Sequence, residues 1–234
     1  MTILAIDTAT DILALGLSVK ETEKRYYLEV AGGLKHSELI MDAIDTLLNI
    51  ASIARKDLEA VACMEGPGSF TGLRIGFSAA KGISLALGIP VIPVPTLDCM
   101  AAPFLFWPGT VLPVIDAKKK SFFTALFRQD KRISDYLDLD MEALIKIIDN
   151  SPEHRKSADT SLLVTGPAVQ LALPGLKAAF PHTVADNIRK RGYAAELLNI
   201  AAGKDIITSN HAAGPLYLRK SDAELNENAK KQNG

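Results

Sequence analysis

Residues 3–17 read ILAIDTATDILALGL, and residues 112–126 read LPVIDAKKKSFFTAL. Each stretch begins with an apolar run that ends in Ile-Asp, continues through a short polar turn, and enters a second run in which apolar residues alternate with others. Such alternation is typical of half-buried strands, so each stretch predicts a β-hairpin with an aspartate, Asp7 or Asp116, at its turn. The recurrence of this pattern predicts two related lobes.

The composition is that of a folded globular protein. The chain has 234 residues, of which 48% are hydrophobic, and its formal net charge is −1. We expect one large domain or two small ones, in the cytoplasm and without membrane contact, because no apolar run is long enough to span a bilayer and the N-terminus lacks a signal-type pattern. The near-neutral charge provides no general basic surface for nucleic acid. Cys63 and Cys99 are expected to be buried free thiols.

The segments that follow each hairpin predict further strands and helices, which complete the two lobes. The stretch at 102–110 contains turn-forming residues and predicts a boundary between a lobe of residues 1–108 and a shorter lobe of residues 109–234. Residues 89–96 predict an extended connection, and the polar C-terminal tail is expected to be disordered. The predicted strands are 28–33, 60–64, 135–140 and 161–166. The predicted helices are 36–51 with Ser37 as its N-cap, about 69–87, 141–150 and 192–203.

The string GPGSFTGLRIG at residues 66–76 joins a predicted strand to a predicted helix. It lacks the lysine of a Walker loop, and Thr71 stands where a dinucleotide fingerprint needs its third glycine. Thr71 also occupies the last position of a G-x-S-x-G elbow, so Ser69 is not expected to be a nucleophile. A glycine turn at a helix start can hold an anion, but the favoured interpretation is a tight turn that enters a partner-binding helix.

Small residues recur every four positions on that helix, at Gly72, Gly76 and Ala80. Such a stripe lets another helix backbone approach closely. Together with the apolar face of helix 36–51, it predicts a partner interface, and leucine at either glycine is expected to break association without unfolding the chain. The alternative is that the stripe packs only on its own sheet. The predicted interface residues are His36, Leu39, Ile40, Ala43, Leu47, Gly72, Leu73, Arg74, Gly76, Phe77 and Ala80.

Two lobes that each open with an aspartate hairpin resemble the actin, Hsp70 and sugar-kinase superfamily, a duplicated α/β fold with ribonuclease H-like lobes. Over nearly its full length the chain is similar to the bacterial TsaB (YeaZ) family. The strings that carry this resemblance are ILAIDTAT (3–10), HSELI (36–40), GPGSFTGLRIG (66–76), VIDAKKKSFF (114–123) and PLYLRKSDAE (215–224).

The resemblance implies a non-catalytic scaffold in the pathway that places threonylcarbamoyl on adenosine 37 of ANN-reading tRNAs. It implies a heterodimer with the catalytic relative TsaD, cooperation with the ATPase TsaE, a homodimer in isolation, and tRNA contact mainly through the complex. In TsaD a histidine pair binds a metal, whereas Thr96 and Met100 stand at the matching positions here. These side chains are poor ligands for hard or borderline divalent metals, so neither a metal nor a catalytic residue is expected.

Nucleotide binding is the main alternative function. Asp7 with Thr8, and Asp116, are interpreted as vestigial phosphate turns, because the first turn lacks a glycine and the second contains three lysines, residues 118–120. No cofactor is expected, and a nucleotide is possible only at the interface with a partner. A stand-alone actin-like ATPase or small-molecule kinase would require turns that accept phosphate. The three lysines form either a solvated hairpin tip or a contact to RNA phosphates.

Overall fold

The computed structural model describes residues 1–31, 35–152, 161–186, 191–204 and 214–218. Its strands form two separate sheets, one from each half of the chain. The first half contains β1 (Ile3–Asp7), β2 (Leu13–Ser18), β3 (Arg25–Val30), α1 (His36–Ala51), β4 (Ala60–Gly66), α2 (Phe70–Leu87), β5 (Val91–Pro95) and α3 (Thr96–Ala101). The second half contains β6 (Thr110–Asp116), β7 (Ser121–Thr124), β8 (Phe127–Arg128), β9 (Lys131–Arg132), β10 (Leu137–Asp140), α4 (Met141–Asn150), β11 (Leu162–Thr165), α5 (Val169–Ala179), β12 (Thr183–Ala185) and α6 (Ala194–Ala202).

The two sheets share one topology. The first has the strand order β3-β2-β1-β4-β5, in which β1, β2 and β3 are antiparallel and β4 and β5 run parallel to β1. The second repeats this pattern as β10-β7-β6-β11-β12, and the short β8–β9 hairpin is attached beside β6. The duplicated, two-lobed α/β fold that the hairpins predict is therefore confirmed.

Strand alternation divides the first lobe into two layers. Leu4 and Ile6 of β1 lie in the outer core beneath α1 and α2. Ile3 and Ala5, on the opposite face of the strand, belong to an inner core that also contains Val111 of the second sheet. Because successive side chains of a strand point to opposite faces, a single strand contributes to both layers.

Helix α6 follows the second sheet in the chain but packs against the first. It contacts β1, β2, β4 and β5, and Leu197 is fully buried in the inner core. The sequence pattern predicts this helix but counts it with the second lobe, since it follows the second hairpin in the chain, whereas the helix packs on the first sheet. The boundary near residue 108 stays a prediction.

Several elements differ from the sequence-based expectations. The predicted connection at 89–96 contains β5, which among the described strands pairs only with β4 and is therefore at the edge of the sheet as described, where proline is tolerated. Helix α5 was not predicted, since Pro174 lies inside it and proline usually ends a helix. Helix α1 begins at His36 with Lys35 at its N-cap, so the assignment of Ser37 as the cap is wrong. The disorder expected for the last dozen residues, 223–234, concerns positions outside the described part.

Within the described ranges, each helix is either too short or too polar to cross a lipid bilayer.

Candidate functional site

A cleft of about 750 Å³ separates the two aspartate hairpins. One wall is the turn after β1 together with Pro67–Phe70, and the other is the turn after β6. Residues 216–218 close the remaining side, where Tyr217 lines the cleft. The structure thus brings both predicted phosphate turns to one cavity, as the two-lobed plan requires.

Asp7 is fully buried and both of its carboxylate oxygens accept backbone hydrogen bonds. Oδ1 accepts from the N–H of Ala9 and Oδ2 from the N–H of Tyr193, each at 3.0 Å. Burial raises the pKa of Asp7 to about 6, although the two N–H donors act in the opposite direction. Asp7 therefore holds the start of α6 against the first sheet, a structural role that engages both of its carboxylate oxygens.

Asp116 has a different environment, because it does not share the strand face of Asp7. Asp7 continues the face of Ile3 and Ala5, whereas Asp116 follows Ile115, which points into the inner core, so Asp116 lies on the opposite face of β6. Lys118 donates from its backbone N–H and from Nζ to the Asp116 carboxylate, at 2.8 and 2.7 Å. Burial opposes ionisation of Asp116, but these bonds outweigh it and hold the pKa below its ordinary value.

The three lysines of the second turn adopt an unusual backbone. Lys118, Lys119 and Lys120 have φ values of 62°, 52° and 64°. This left-handed region is unfavourable for residues with a Cβ atom, by roughly 1–2 kcal/mol each. The turn is closed by the backbone N–H of Ser121, which donates to the carbonyl of Lys118 at 3.0 Å. The hairpin tip is thus a defined turn formed without glycine, and its Lys118 ammonium is engaged by Asp116.

The GPGSF turn is a packing element. Ser69 caps α2, and its Oγ accepts from the N–H of Gly72 at 3.2 Å. The backbone N–H of Ser69 donates to the carbonyl of Ala9 at 2.8 Å, and a Cβ at Gly68 would lie 2.6 Å from that same oxygen. The predicted helix start near Ser69 and the tight turn are confirmed. The close approach of the two turns accounts for the glycine at position 68.

The prediction that the small-residue stripe faces a partner is wrong. Gly72, Gly76 and Ala80 are buried, and the stripe lies against the first hairpin turn. The Thr8 hydroxyl donates to the carbonyl of Gly72 at 2.7 Å. An added Cβ at Gly72 would lie 2.1 Å from the Thr8 carbonyl, and one at Gly76 would lie 2.4 Å from Oγ1 of Thr8. Leucine at either position would disturb the lobe itself, contrary to the expectation from the sequence.

Most other residues assigned to the interface are also internal. Leu39 is half-buried, and Arg74 alone of the set is exposed. His36 is buried, and its Nε2 lies 2.8 Å from the carbonyl of Thr10, so Nε2 carries the hydrogen in this bond. The remaining buried members are Ile40, Ala43, Leu47, Leu73 and Phe77. They build the lobe beneath the two helices, and of these five only Ile40 also lines the outward groove between α1 and α2.

The outer surface of α1 and α2 contains a groove, and of the predicted interface residues only Ile40 and Arg74 line it. Its two adjoining sections have volumes of about 490 and 330 Å³ and share Met41, Ser78 and Ala79. Met41 is 47% exposed, and Gly82 has no atom within 4 Å of an added Cβ. Ser78, Gly82 and Ala86 lie about 200° around the helix from the buried stripe, so the chain has a second small-residue repeat that faces outward.

Residues 214–218 cross the end of β4 and extend this surface; we call them the C-terminal strap. The Leu216 N–H donates to the carbonyl of Glu65 at 2.5 Å, and the Tyr217 ring lies 5.0 Å from the ring of Phe70. Tyr217 therefore contributes to both the cleft and the surface beside Arg74. The aromatic residue in this polar stretch is the one signal in the sequence that could have indicated the contact.

The positions that match a metal site in the catalytic relative do not suit a metal here. Thr96 and Met100 are fully buried on α3, and they supply a hydroxyl and a thioether. The nearby Asp98 accepts a hydrogen bond from the Tyr136 hydroxyl at 2.8 Å. Burial raises the pKa of Asp98, although that bond lowers it. Across the described ranges, no group of three or more potential ligands among His, Cys, Asp and Glu comes together.

Known proteins resemble the chain in both sequence and structure. A family model described as TsaD, tRNA N6-adenosine threonylcarbamoyltransferase, matches residues 29–230. The tRNA threonylcarbamoyladenosine biosynthesis protein TsaB of Bacillus subtilis is 36% identical over 128 residues, which are 55% of this chain and 56% of that protein. The TsaB protein of Buchnera aphidicola is 31% identical over 159 residues, which are 66% of this chain and 70% of that protein.

A solved structure gives the same fold. The protein from Pseudomonas aeruginosa described as having similarity to peptidase YeaZ superposes with a TM-score of 0.74 at 24% identity, covering 93% of this chain and 99% of that one. The chain spans a little over half the length of the first curated relatives it matches. The extent of the family match and the Buchnera relative establish that this chain belongs to the TsaB (YeaZ) family, whose members are related to TsaD.

Proposed function

We propose that the chain is a non-catalytic scaffold and activator in the formation of threonylcarbamoyladenosine at position 37 of ANN-reading tRNAs. The observation that carries this proposal is the open groove along α1 and α2, on the side of the first lobe away from the inner core. A continuous apolar groove on a protein surface is typical of an interaction site. The names of the TsaB relatives provide the pathway.

The proposed partner is TsaD, which would place two of its own helices along the groove to form a bundle of two helices from each subunit. In isolation the same surface would pair two copies of this chain. The ATPase TsaE acts on the assembled complex, and tRNA is contacted mainly through the complex. This assignment places the protein in the cytoplasm.

Catalysis is assigned to the partner because the aspartates of both hairpins and Ser69 at the cleft already have hydrogen-bond partners within the chain. Asp7 accepts two backbone N–H groups, and the Asp116 carboxylate is bound by Lys118. The only hydrogen bond of the Ser69 hydroxyl within the described residues is to the N–H of Gly72. We therefore propose that the chain has no cofactor of its own, and that a nucleotide binds only where a partner completes the site. This favours a scaffold over a stand-alone ATPase or kinase.

The test is reconstitution of the modification. The chain is combined with TsaD, TsaE and the enzyme that forms the threonylcarbamoyl adenylate, all from the same organism, and modified tRNA is quantified by mass spectrometry of its nucleosides. We expect modification to require this chain, and we expect the chain alone to hydrolyse no ATP.

An omission series serves as the control, with each protein left out in turn. Full modification in the absence of this chain would overturn the proposed role. ATP hydrolysis by the isolated chain, lost in an Asp116→Asn variant, would instead support the ATPase alternative.

A further inference from the structure

Arg74 is an exposed cation whose side chain is held from two sides. Its guanidinium carbon lies 3.8 Å from the centre of the Phe70 ring, and its Nε–H donates to the Tyr217 hydroxyl at 3.1 Å. A guanidinium over an aromatic face is attracted by the electrons of the ring, and its planar shape limits the entropy lost when it binds. The guanidinium is therefore ordered before any partner arrives.

Tyr217 belongs to the C-terminal strap, and its position is fixed by the contacts of the neighbouring Leu216 with the end of β4. The Leu216 N–H donates to the Glu65 carbonyl at 2.5 Å, and the Leu216 carbonyl oxygen lies 2.7 Å from the position a Cβ would take on Gly66. The absence of a side chain at Gly66 thus allows the strap to lie directly on the end of β4. In this way the C-terminal strap becomes part of the surface formed by α1 and α2.

The charge of Arg74 is not neutralised by the part of the chain that the structure describes, where none of the ion pairs involves it. A guanidinium has five N–H donors, and here Tyr217 takes only the Nε–H. The groove beside Arg74 is lined by Met41, Ile75 and Ala79. A partner that covers this groove would bury the cation, which is strongly unfavourable unless the partner supplies an acceptor.

We propose that Arg74 is a preformed cationic contact of the α1–α2 surface, that Tyr217 positions it, and that the partner protein meets it with a carboxylate. A carboxylate fits because the two remaining nitrogens of a guanidinium can bind it in a bidentate geometry. A protein is favoured over RNA because apolar and small side chains surround the cation. This inference rests on the proposed function, since it deepens the account of the same surface.

The test measures the dissociation constant between this chain and TsaD of the same organism, by calorimetry at low and moderate salt. We expect Arg74→Met to weaken binding roughly 30-fold and Arg74→Glu by more than roughly 100-fold. Tyr217→Phe keeps the ring and removes the hydroxyl, and it should weaken binding roughly three- to tenfold. The matched control is Lys177→Glu, an exposed charge reversal on α5 of the second lobe, which should leave the constant unchanged.

A positioning role has a separate signature. If Tyr217 acts through Arg74, Tyr217→Phe should have no further effect in a chain that already carries Arg74→Met. Salt should weaken binding less in Arg74→Met than in the wild type, and in Arg74→Glu it should relieve the repulsion between the two carboxylates. Far-UV circular dichroism and thermal unfolding confirm that each variant is folded. Equal effects of Tyr217→Phe in the two backgrounds would show that Tyr217 does not position Arg74.

The two proposals fail in different ways. If the wild-type chain does not bind TsaD, the proposed function is wrong and the inference is overturned with it. If the wild type binds and the Arg74 variants bind equally well, only the inference is overturned. If the Arg74 variants lose affinity for free tRNA and keep it for TsaD, the contact is to RNA phosphate and the assignment of a protein carboxylate is wrong.

Discussion

The carboxyl group of Asp7 is buried in the folded protein, so its ionisation lowers the free energy of unfolding. Its pKa is raised by burial from 3.8 to about 6, with Glu29 raising it further and His36 lowering it. Between these values the folded protein binds more protons than the unfolded chain, so the free energy of unfolding decreases as the pH rises through about 6. The contribution is fully present below the unfolded value of 3.8 and is lost above the folded value.

This linkage predicts the pH dependence of an Asp7→Asn variant. For the wild type, the Asp7 contribution to the free energy of unfolding should fall by about 1 kcal/mol between pH 5 and pH 7.5. Asparagine does not titrate, so the variant should lack this part of the slope. Urea unfolding at several pH values measures it. The slopes of the free energy of unfolding against pH are compared, and not its values at one pH. The reason is that the asparagine amide turns an N–H towards a backbone donor, which lowers stability at every pH. Identical slopes in the two proteins would contradict the assigned burial.

At the scale of elements, the contact between α2 and the first hairpin turn predicts opposite effects for glycines of the same helix. Gly72→Ala places a Cβ 2.1 Å from the Thr8 carbonyl, so the turn must move. Overpacking of this kind destabilises a protein by about 1–3 kcal/mol. Gly82→Ala meets no atom within 4 Å and should stabilise the protein by up to about 1 kcal/mol, because alanine is the better helix former.

Chemical denaturation of the two variants measures this difference, and Gly82→Ala is the matched control for the change in helix propensity. The affinity for TsaD is a second measurement in which the two variants should differ. Gly82 lines the outward groove, so Gly82→Ala alters the proposed contact surface directly, whereas Gly72 does not line it. If the Gly72→Ala protein were as stable as the wild type, the close contact that the structure shows between α2 and Thr8 would be contradicted.

The same helix shows what sequence patterns can and cannot establish. Periodicity and the glycine turn predicted the start of α2 near Ser69, and the repeated hairpins predicted both lobes. Periodicity did not show which side of the helix faces inward. Small residues recur every four positions both at 72, 76 and 80 and at 78, 82 and 86. Which of the two stripes faces inward depends on Thr8, which is distant in the sequence. The site at Tyr217 was missed for the same reason, because its contacts join residues 143 positions apart.

At the scale of the whole molecule, the two lobes share an inner core, in addition to the separate core that each lobe has. The inner cluster joins Ala5 of β1, Val111 of β6 and Leu163 of β11, and α6 contributes Leu197 to it. A core that crosses the boundary between two sheets couples their unfolding, because opening either one exposes apolar surface of the other. We therefore expect one cooperative transition for the described lobes.

Amide hydrogen exchange with two variants tests this coupling. Leu197→Ala removes a buried side chain from the shared core, and Leu176→Ala removes one from the core that lies only in the second lobe. Each should lower the free energy of unfolding by about 2–5 kcal/mol. If the lobes unfold together, both variants will accelerate the slowest amides of β1 and β4 as much as those of β6 and β11. If Leu176→Ala accelerates exchange only in the second sheet, the shared core does not couple the lobes, and α6 is merely attached to the surface of the first.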